Sequence, residues 1–289
     1  MKTKVMVCSF LFFIGILVPL TGAIAAEGSI QIKGSDTMVN LGQAWAEEFM
    51  AENSQVSLAV TGGGSGTGIA ALINGTCDIA EASRDMKPQE WEQAKKSGHD
   101  VHEFKVAVDA LAVVVHPSNP VKELTFDQLS GIFTGKIINW NEVGGKDQKI
   151  LVLSRDRNSG THVYFLEHVL RKGNEKGPEQ YAPATLMLPS TQAIIDEVSQ
   201  SDSAIGYVGL GYVSPKVKTV AASKMNGGPF VQPSKAAAMD KTYPIARPLL
   251  FYTAQAPQGS VKAFLDFVLS AKGQEIVETM DFVPLGKKE

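Results

Sequence analysis

Three stretches of this sequence gather serine, threonine and glycine where hydroxyls and bare backbone amides could meet a ligand. They are Gly34-Ser35-Asp36-Thr37, then Thr61-Gly62-Gly63-Gly64-Ser65-Gly66-Thr67-Gly68, then Ser154-Arg155-Asp156-Arg157-Asn158-Ser159-Gly160-Thr161. Each follows an apolar strand pattern and precedes a helical one. A helix start carries unpaired N–H groups and partial positive charge. Glycine lets the backbone come close to a ligand, and a Ser or Thr hydroxyl adds a donor that rotates to suit. Together these parts make an oxyanion site. One such junction alone serves as a helix cap. Three of them, one with Arg155 four residues before Ser159, exceed what capping requires.

Competing chemistries lack their residues. Gly62 to Gly68 does not contain G-x-G-x-x-G, because Thr67 stands where the last glycine belongs. The segment from Ser130 to Lys136 misses the phosphate loop, with Ser130 in place of the first glycine and Ile137 in place of Ser/Thr. Ser65 is not in G-x-S-x-G. His99, His102, His116, His162 and His168 form neither H-E-x-x-H nor a Cys/His pattern, so no metal is expected. A serine nucleophile would need an aligned base. His162 lies near Ser159 in sequence, but no orienting partner stands at a recognisable spacing. Trp45, Trp91 and Trp140 read as core or edge packing, and Glu90, Glu92, Lys95 and Lys96 as a solvated helix face.

The elements that must position these junctions alternate between strand and helix. Strands are expected at 29–32, 56–60, 106–115, 150–153, 204–208 and 245–252. Met38, Leu41, Trp45 and Phe49 fall on one helical face, as do Val163, Leu166 and Leu170. Ile69, Leu72 and Ile73 mark a short helix. Further helices are expected at 124–133, 261–269 and 273–280, with loops at 173–178 and 226–229. This alternation implies α/β domains with largely parallel sheets, whose ligands sit outside the carboxyl ends of the strands.

Composition narrows the class. The chain has 289 residues, 27 basic and 30 acidic, for a formal charge of −3. The balance argues against a general nucleic-acid binder. Lys2 and Lys4, an apolar run from Val5 to Leu20 and the Ala23-x-Ala25 end form a secretory signal peptide over 1–25, cleaved after Ala25. Its removal from 289 residues leaves 264, with 25 basic against 30 acidic residues, a net of −5. Only Cys77 then remains of the two cysteines, so no intrachain disulfide forms, and Cys77 is expected to pack as a small buried residue.

Over nearly the whole mature chain, these motifs resemble the phosphate-binding proteins that serve high-affinity ABC phosphate importers. The resemblance is carried by Gly34-Ser35-Asp36-Thr37, Gly63-Gly64-Ser65-Gly66, Asp78-Ile79-Ala80-Glu81-Ala82-Ser83-Arg84, and Arg155 through Ser159-Gly160-Thr161. Two further stretches are similar, Leu124-Thr125 through Ile132 to Ile137 with Asn139-Trp140, and Ala204 to Gly209. The resemblance implies a two-lobed periplasmic-binding-protein fold of type II. Each lobe is a mainly parallel sheet flanked by helices, and two hinge crossovers join them near 107–113 and 245–251. Lobe one would span 27–110 plus 249–289, and lobe two 111–248.

The resemblance also implies roles. Ser35, Thr37, Ser65 and Ser83 would donate from lobe one, and Arg155, Ser159, Gly160 and Thr161 from lobe two, with Arg155 bidentate on phosphate oxygens. Asp36 and Arg84 complete the expected phosphate site. A branch of the family places Asp directly after the serine matching Ser83, where its carboxylate accepts the proton of hydrogen phosphate. Here Arg84 stands there and Asp85 follows, so the acceptor is Asp36, Asp85 or neither. The implied function is binding inorganic phosphate and delivering it to an inner-membrane ABC permease, with no enzyme activity and no cofactor. The protein would be a monomer in the periplasm or at the cell surface. The alternatives are a receptor for sulfate, molybdate or a phosphonate on the same fold, and a secreted serine hydrolase.

Overall fold

The structure is a computed structural model and describes residues 28–286. The expected signal peptide at 1–25, its cleavage after Ala25, and Cys8 lie outside the described residues. The chain begins with β1 (Ser29–Gly34), α1 (Val39–Glu52), β2 (Ser57–Thr61), α2 (Ser65–Ile73), β3 (Ile79–Ala82) and α3 (Pro88–Lys96). Then come β4 (His102–Val115), β5 (Glu123–Thr125), α4 (Phe126–Phe133), β6 (Leu151–Arg155), α5 (Gly160–Phe165), β7 (Leu186–Leu188) and α6 (Thr191–Gln200). The last are β8 (Ala204–Gly209), β9 (Lys218–Ser223), α7 (Lys235–Met239), β10 (Ala246–Thr253), α8 (Gly259–Leu269) and α9 (Ala271–Thr279).

Strand order β2-β1-β3-β10-β4-β8-β6-β7 runs through both lobes without a break. In lobe one β1 pairs in parallel with β2 and β3. In lobe two β6 pairs in parallel with β7 and β8. Between them, β10 and β4 pair antiparallel over Ala246↔Ala110 to Thr253↔His102, with an irregularity between Leu249 and Leu250. These two strands are the crossovers; they run antiparallel to each other, while the sheet within each lobe is mainly parallel, as expected. Beyond Ala110, β4 continues into lobe two and pairs with β8 and β9.

Each lobe has apolar residues on both faces of its sheet. In lobe one Ile30, Trp45, Phe251 and Phe264 pack on one side, and Ile69, Leu72 and Tyr252 on the other. In lobe two Phe133, Trp140, Phe165 and Tyr207 face Leu153, Ile194 and Val208 across the sheet. Burying a side chain such as Phe251 contributes about 1.5–3 kcal/mol relative to exposure. Trp45 and Trp140 are buried and satisfy their indole N–H groups on Gly273 O and Ser203 O. Trp91 is 37% exposed and lies edge-on to Tyr252, at the rim of the core. Cys77 is buried, and burial pushes its thiol up to about 12.

Several expected bounds shift for local reasons. The helix expected at 124–133 begins at Phe126, because Thr125 caps it: Gln128 N donates to Thr125 Oγ1, and Thr125 N donates to Gln128 Oε1. Leu124 lies instead on the short strand β5. The face of Val163, Leu166 and Leu170 belongs to α5, which widens into a π turn at Leu166–Leu170. The strand expected at 106–115 starts four residues earlier, where alternate exposure replaces continuous burial. β3, β7, α6, β9 and α7 were not anticipated. α3 is exposed along Glu92, Lys95 and Lys96, but Glu90 is drawn inward to Arg84.

β3 contains an ionisable side chain, Glu81, in a fully buried run. Neither carboxyl oxygen of Glu81 has a hydrogen-bond partner. The side chain faces Gly42, where a Cβ would come within 2.3 Å of Glu81 Oε1. Burial, and secondarily the charge of Asp36, push the Glu81 carboxyl from 4.5 up to about 8. Between those values the folded protein keeps a proton that the unfolded chain has released, so stability falls as pH rises through that window. Replacing Glu81→Gln removes the ionisable group. The variant's gain in Tm over wild type is expected to grow as pH rises from 4.5 to about 8. A Tm difference that stays flat over that range would contradict the buried, protonated carboxyl.

Candidate functional site

The three junctions converge. β1 ends at Gly34, and the turn that follows holds Ser35 by its amide on Glu81 O at 2.9 Å. β2 ends at Thr61, and glycines 62–64 lead to Ser65 at the first position of α2. Gly64 has φ +95°, and a Cβ there would lie 2.7 Å from Asn158 O, so both backbone angle and close approach demand glycine. β6 ends at Arg155, and Ser159 caps α5, accepting from His162 N at 3.5 Å. β3 brings Ser83 to the same place.

The side chains form one buried hydroxyl cluster. Ser35 Oγ donates to Ser83 Oγ at 2.8 Å. Ser83 N donates to Ser65 Oγ at 3.0 Å, and the two hydroxyls are 3.4 Å apart. Thr37 Oγ1 and Thr161 Oγ1, from opposite lobes, are 2.8 Å apart. At Gly160 a Cβ would fall 2.3 Å from Ser65 Oγ and 2.7 Å from Ser83 Oγ. The start of α5 therefore presses against lobe one with only hydrogen on its Cα. These hydroxyls bond to one another, and each can rotate its proton toward a ligand oxygen instead.

The arginine at the centre of this cluster was not among the expected residues. Arg247, on β10, donates from Nη2 to Thr161 Oγ1 at 3.0 Å and to Thr37 Oγ1 at 3.4 Å. Its Nη1 donates to Ser83 O at 3.0 Å. Asp109 lies directly opposite on β4 and accepts from Arg247 Nη2 at 3.0 Å and Nε at 3.3 Å. Both side chains of this pair are 0% exposed. Burial pushes the Asp109 carboxyl up, against the pull of Arg247 and of the Leu210 amide. The Tyr164 ring lies under the guanidinium, 5.5 Å from it. A signal for this pair was present: Arg247 and Asp109 are lone opposite charges within two apolar strand patterns.

Two expected arginines are engaged elsewhere. Arg155 spends four of its five N–H groups on Asp36 Oδ2 (2.7 Å), Thr191 Oγ1 (2.8 Å), Pro189 O (2.8 Å) and Leu188 O (3.3 Å). In this structure it joins the lobes through Asp36 rather than presenting a free bidentate fork. Asp36 also accepts from Gly63 N at 3.3 Å, and its carbonyl accepts from Tyr212 OH at 2.7 Å. Arg84 forms a forked pair with Glu90 at 2.7 Å on both terminal nitrogens, and its buried Nε has no hydrogen-bond partner. Asp85 is exposed and outside the cluster. Asn158 completes the contact between lobes: its Nδ2 donates to Gly63 O at 2.7 Å, and its carbonyl accepts from Gly66 N at 2.9 Å.

The arrangement suits a small tetrahedral oxyanion, surrounded by hydroxyls, amides and one charge-compensated guanidinium. Among the described residues no group of three or more His, Cys, Asp or Glu side chains could hold a metal ion. The ring of His162 bonds Ser154 Oγ at 3.0 Å and stacks on Tyr181, not on the Ser159 hydroxyl. Burial pulls its pKa down to about 4.

Comparisons with known proteins agree with this geometry. A sequence profile for the PBP superfamily domain matches residues 21–272. The chain is 34% identical to the phosphate-binding protein PstS of Pseudomonas aeruginosa, over 92% of this chain and 86% of that one. It is 34% identical to PstS of Bacillus subtilis, over 90% of this chain and 82% of that one. A putative phosphate ABC transporter substrate-binding protein from Clostridium perfringens, solved with bound phosphate, matches with a TM-score of 0.79 and 32% identity over 90% of this chain and all of that one. An ABC-type phosphate transport receptor from Vibrio cholerae matches with a TM-score of 0.71 and 30% identity, over 89% of this chain and 100% of that one.

The buried pair makes a stability prediction. Arg247→Ala leaves Asp109 as an uncompensated buried charge and is expected to cost about 3–5 kcal/mol in urea unfolding. Replacing both residues with apolar side chains of similar volume is expected to recover most of that loss. Equal destabilisation by the single and double changes would show that Asp109 does not depend on its partner.

Proposed function

The chain belongs to the PBP superfamily, among the PstS phosphate-binding proteins, and from that membership we propose that it binds inorganic phosphate between its lobes and delivers it to an ABC permease for uptake. The observation that carries this reading is the buried cluster of Ser35, Thr37, Ser65, Ser83, Gly160 and Thr161 around Arg247. Donors come from both lobes and from the crossover, so the set is complete only when the lobes close. Ser159 holds the start of α5 in place, and Asp36 with Arg155 fastens the closed form. The same reading takes lobe one as 27–110 plus 249–289 and lobe two as 111–248. The same proposal includes export through the leader at 1–25, action as a monomer outside the cytoplasmic membrane, and no catalytic step. No described helix is long and apolar enough to cross a membrane.

The binding chemistry needs no net positive charge. Arg247 is neutralised by Asp109, and the remaining donors are dipoles fixed in a water-excluded place, where they act more strongly than in water. Asp109 is also a carboxylate next to the anion site, which neither Asp36, bound to Arg155, nor the exposed Asp85 offers as directly. Titration calorimetry of ligand-free protein with phosphate, sulfate, molybdate and methylphosphonate is expected to show phosphate binding tightest. Tightest binding to sulfate would overturn the reading. Arg155→Ala and Asp36→Ala are each expected to weaken phosphate binding about tenfold, and the double variant no more than that, because both remove one cross-lobe bond. Additive losses would mean that Arg155 holds the anion directly.

A further inference from the structure

The first turn of α5 is tied to the rest of lobe two by a chain of polar side chains set in the apolar core. Ser154 Oγ, near the end of β6, lies 3.0 Å from His162 Nδ1 and 2.5 Å from the Tyr207 hydroxyl. The Tyr207 hydroxyl lies 2.8 Å from that of Tyr181, which also donates to His162 O at 3.2 Å. The chain thus closes on His162, holding both its ring and its carbonyl. Aromatic contacts add to the grip: Tyr181 stacks on the His162 ring at 4.4 Å, and Tyr207 stacks on Phe165 at 4.1 Å. Ser154 and Tyr207 are fully buried. Burial holds the His162 pKa at about 4, so at neutral pH the ring is uncharged and Nδ1 can accept. One proton arrangement serves every member. Tyr181 shares its proton between Tyr207 and the His162 carbonyl, Tyr207 donates to Ser154, and Ser154 donates to His162 Nδ1.

Packing alone does not ask for these hydroxyls. Phenylalanine at 181 and 207 and alanine at 154 would fill nearly the same volume with no polar group to desolvate. A fully satisfied polar network does something apolar contacts do less well: it fixes one arrangement. Here the arrangement fixed is that of residues on the site. His162 follows Ser159, Gly160 and Thr161 on the same turn, and its N donates to Ser159 Oγ. Gly160 meets Ser65 with room for hydrogen alone, and Thr161 meets Thr37 at 2.8 Å across the lobes. Contacts of this kind tolerate a displacement of only about 0.5 Å. We propose that Ser154, His162, Tyr181 and Tyr207 are positioning residues for the anion, which set the orientation of the first turn of α5 and through it the Gly160 amide and the Thr161 hydroxyl. The proposal rests on the phosphate reading above. It also makes the connection 171–185, which holds no strand or helix of its own, part of the support of the site through Tyr181.

The test is the phosphate affinity of Tyr181→Phe, Tyr207→Phe and Ser154→Ala, measured by equilibrium dialysis with radiolabelled phosphate well below each variant's melting temperature. Under those conditions every molecule is folded, so a role in stability alone leaves the affinity unchanged. The control is Ser223→Ala, which removes another buried hydroxyl of lobe two, one that donates to Met225 O. Each deletion in the chain is expected to weaken phosphate binding about fivefold or more, and the control less than about twofold. At residue 162, asparagine offers an acceptor in place of Nδ1 and leucine does not. His162→Asn is expected to bind within about threefold of wild type, and His162→Leu about tenfold or more weaker. Hydrogen exchange over residues 159–165, measured without phosphate, should be faster in the three hydroxyl deletions than in wild type and control. Unchanged affinity in those three variants, or equal losses from Asn and Leu at 162, overturns the positioning role. A wild type that binds no phosphate would instead overturn the functional reading, and the exchange rates would still decide whether the chain holds the turn.

Discussion

One ion pair, Arg247 with Asp109, joins the two strands that cross between the lobes, and the cleft is arranged around it. A buried guanidinium is tolerable only with a compensating carboxylate and with its remaining N–H groups satisfied. The fold supplies the carboxylate from the facing position on β4 and the rest from Ser83 O, Thr37 and Thr161. The same requirement fixes where the lobes meet. Thr37 belongs to one lobe and Thr161 to the other, and a single nitrogen of Arg247 serves both. An anion that replaced the contact between these hydroxyls would be sensed at once by both lobes and by the crossover that links them.

Around that centre, closure is held by contacts that do not need the anion. The Asp36–Arg155 pair, the Asn158 bonds to the Gly63–Thr67 turn, and the Tyr212 hydroxyl on Asp36 O all span the cleft. They sit at its sides, whereas the hydroxyl cluster sits deep within it. This separation lets the depth of the cleft select by shape and donor direction while its sides set the balance between open and closed forms. It also explains how a chain with an acidic surplus can be suited to anions. The long-range charge and the local donor geometry are built from different residues.

Much of this was legible in the sequence, because the junctions obey local rules. Ser35, Thr37, Ser65, Ser159, Gly160 and Thr161 follow strand ends and open helices, and chain connectivity alone brings them to one edge of the sheet. Arg247 was harder to read for the opposite reason, its one mark being a lone charge in an apolar strand. It lies within the strand pattern of 245–252, beside Pro248, with no turn chemistry to mark it, and its meaning comes from a strand more than a hundred residues away. Arg155 and Arg84 were visible as residue types, but their partners Asp36 and Glu90 were not, so their orientation was beyond sequence spacing. β3 was missed because four buried residues with a glutamate among them show no period. The capped start of α4 at Phe126 was missed because apolar Leu124 extended the helical pattern into a strand.

The place of β10 in the sheet bears on how this chain reaches its folded state. Its neighbours are β3 and β4, both completed more than a hundred residues earlier in synthesis. Until β10 emerges, those two strands face a gap, and the packing of Phe251 and Phe264 against Trp45 does not exist. Lobe one is therefore finished only after lobe two has been made. Such an order delays stable tertiary structure until the chain has been made through β10. A late-arriving central strand thus acts as a timer on folding, written into topology rather than into any single side chain.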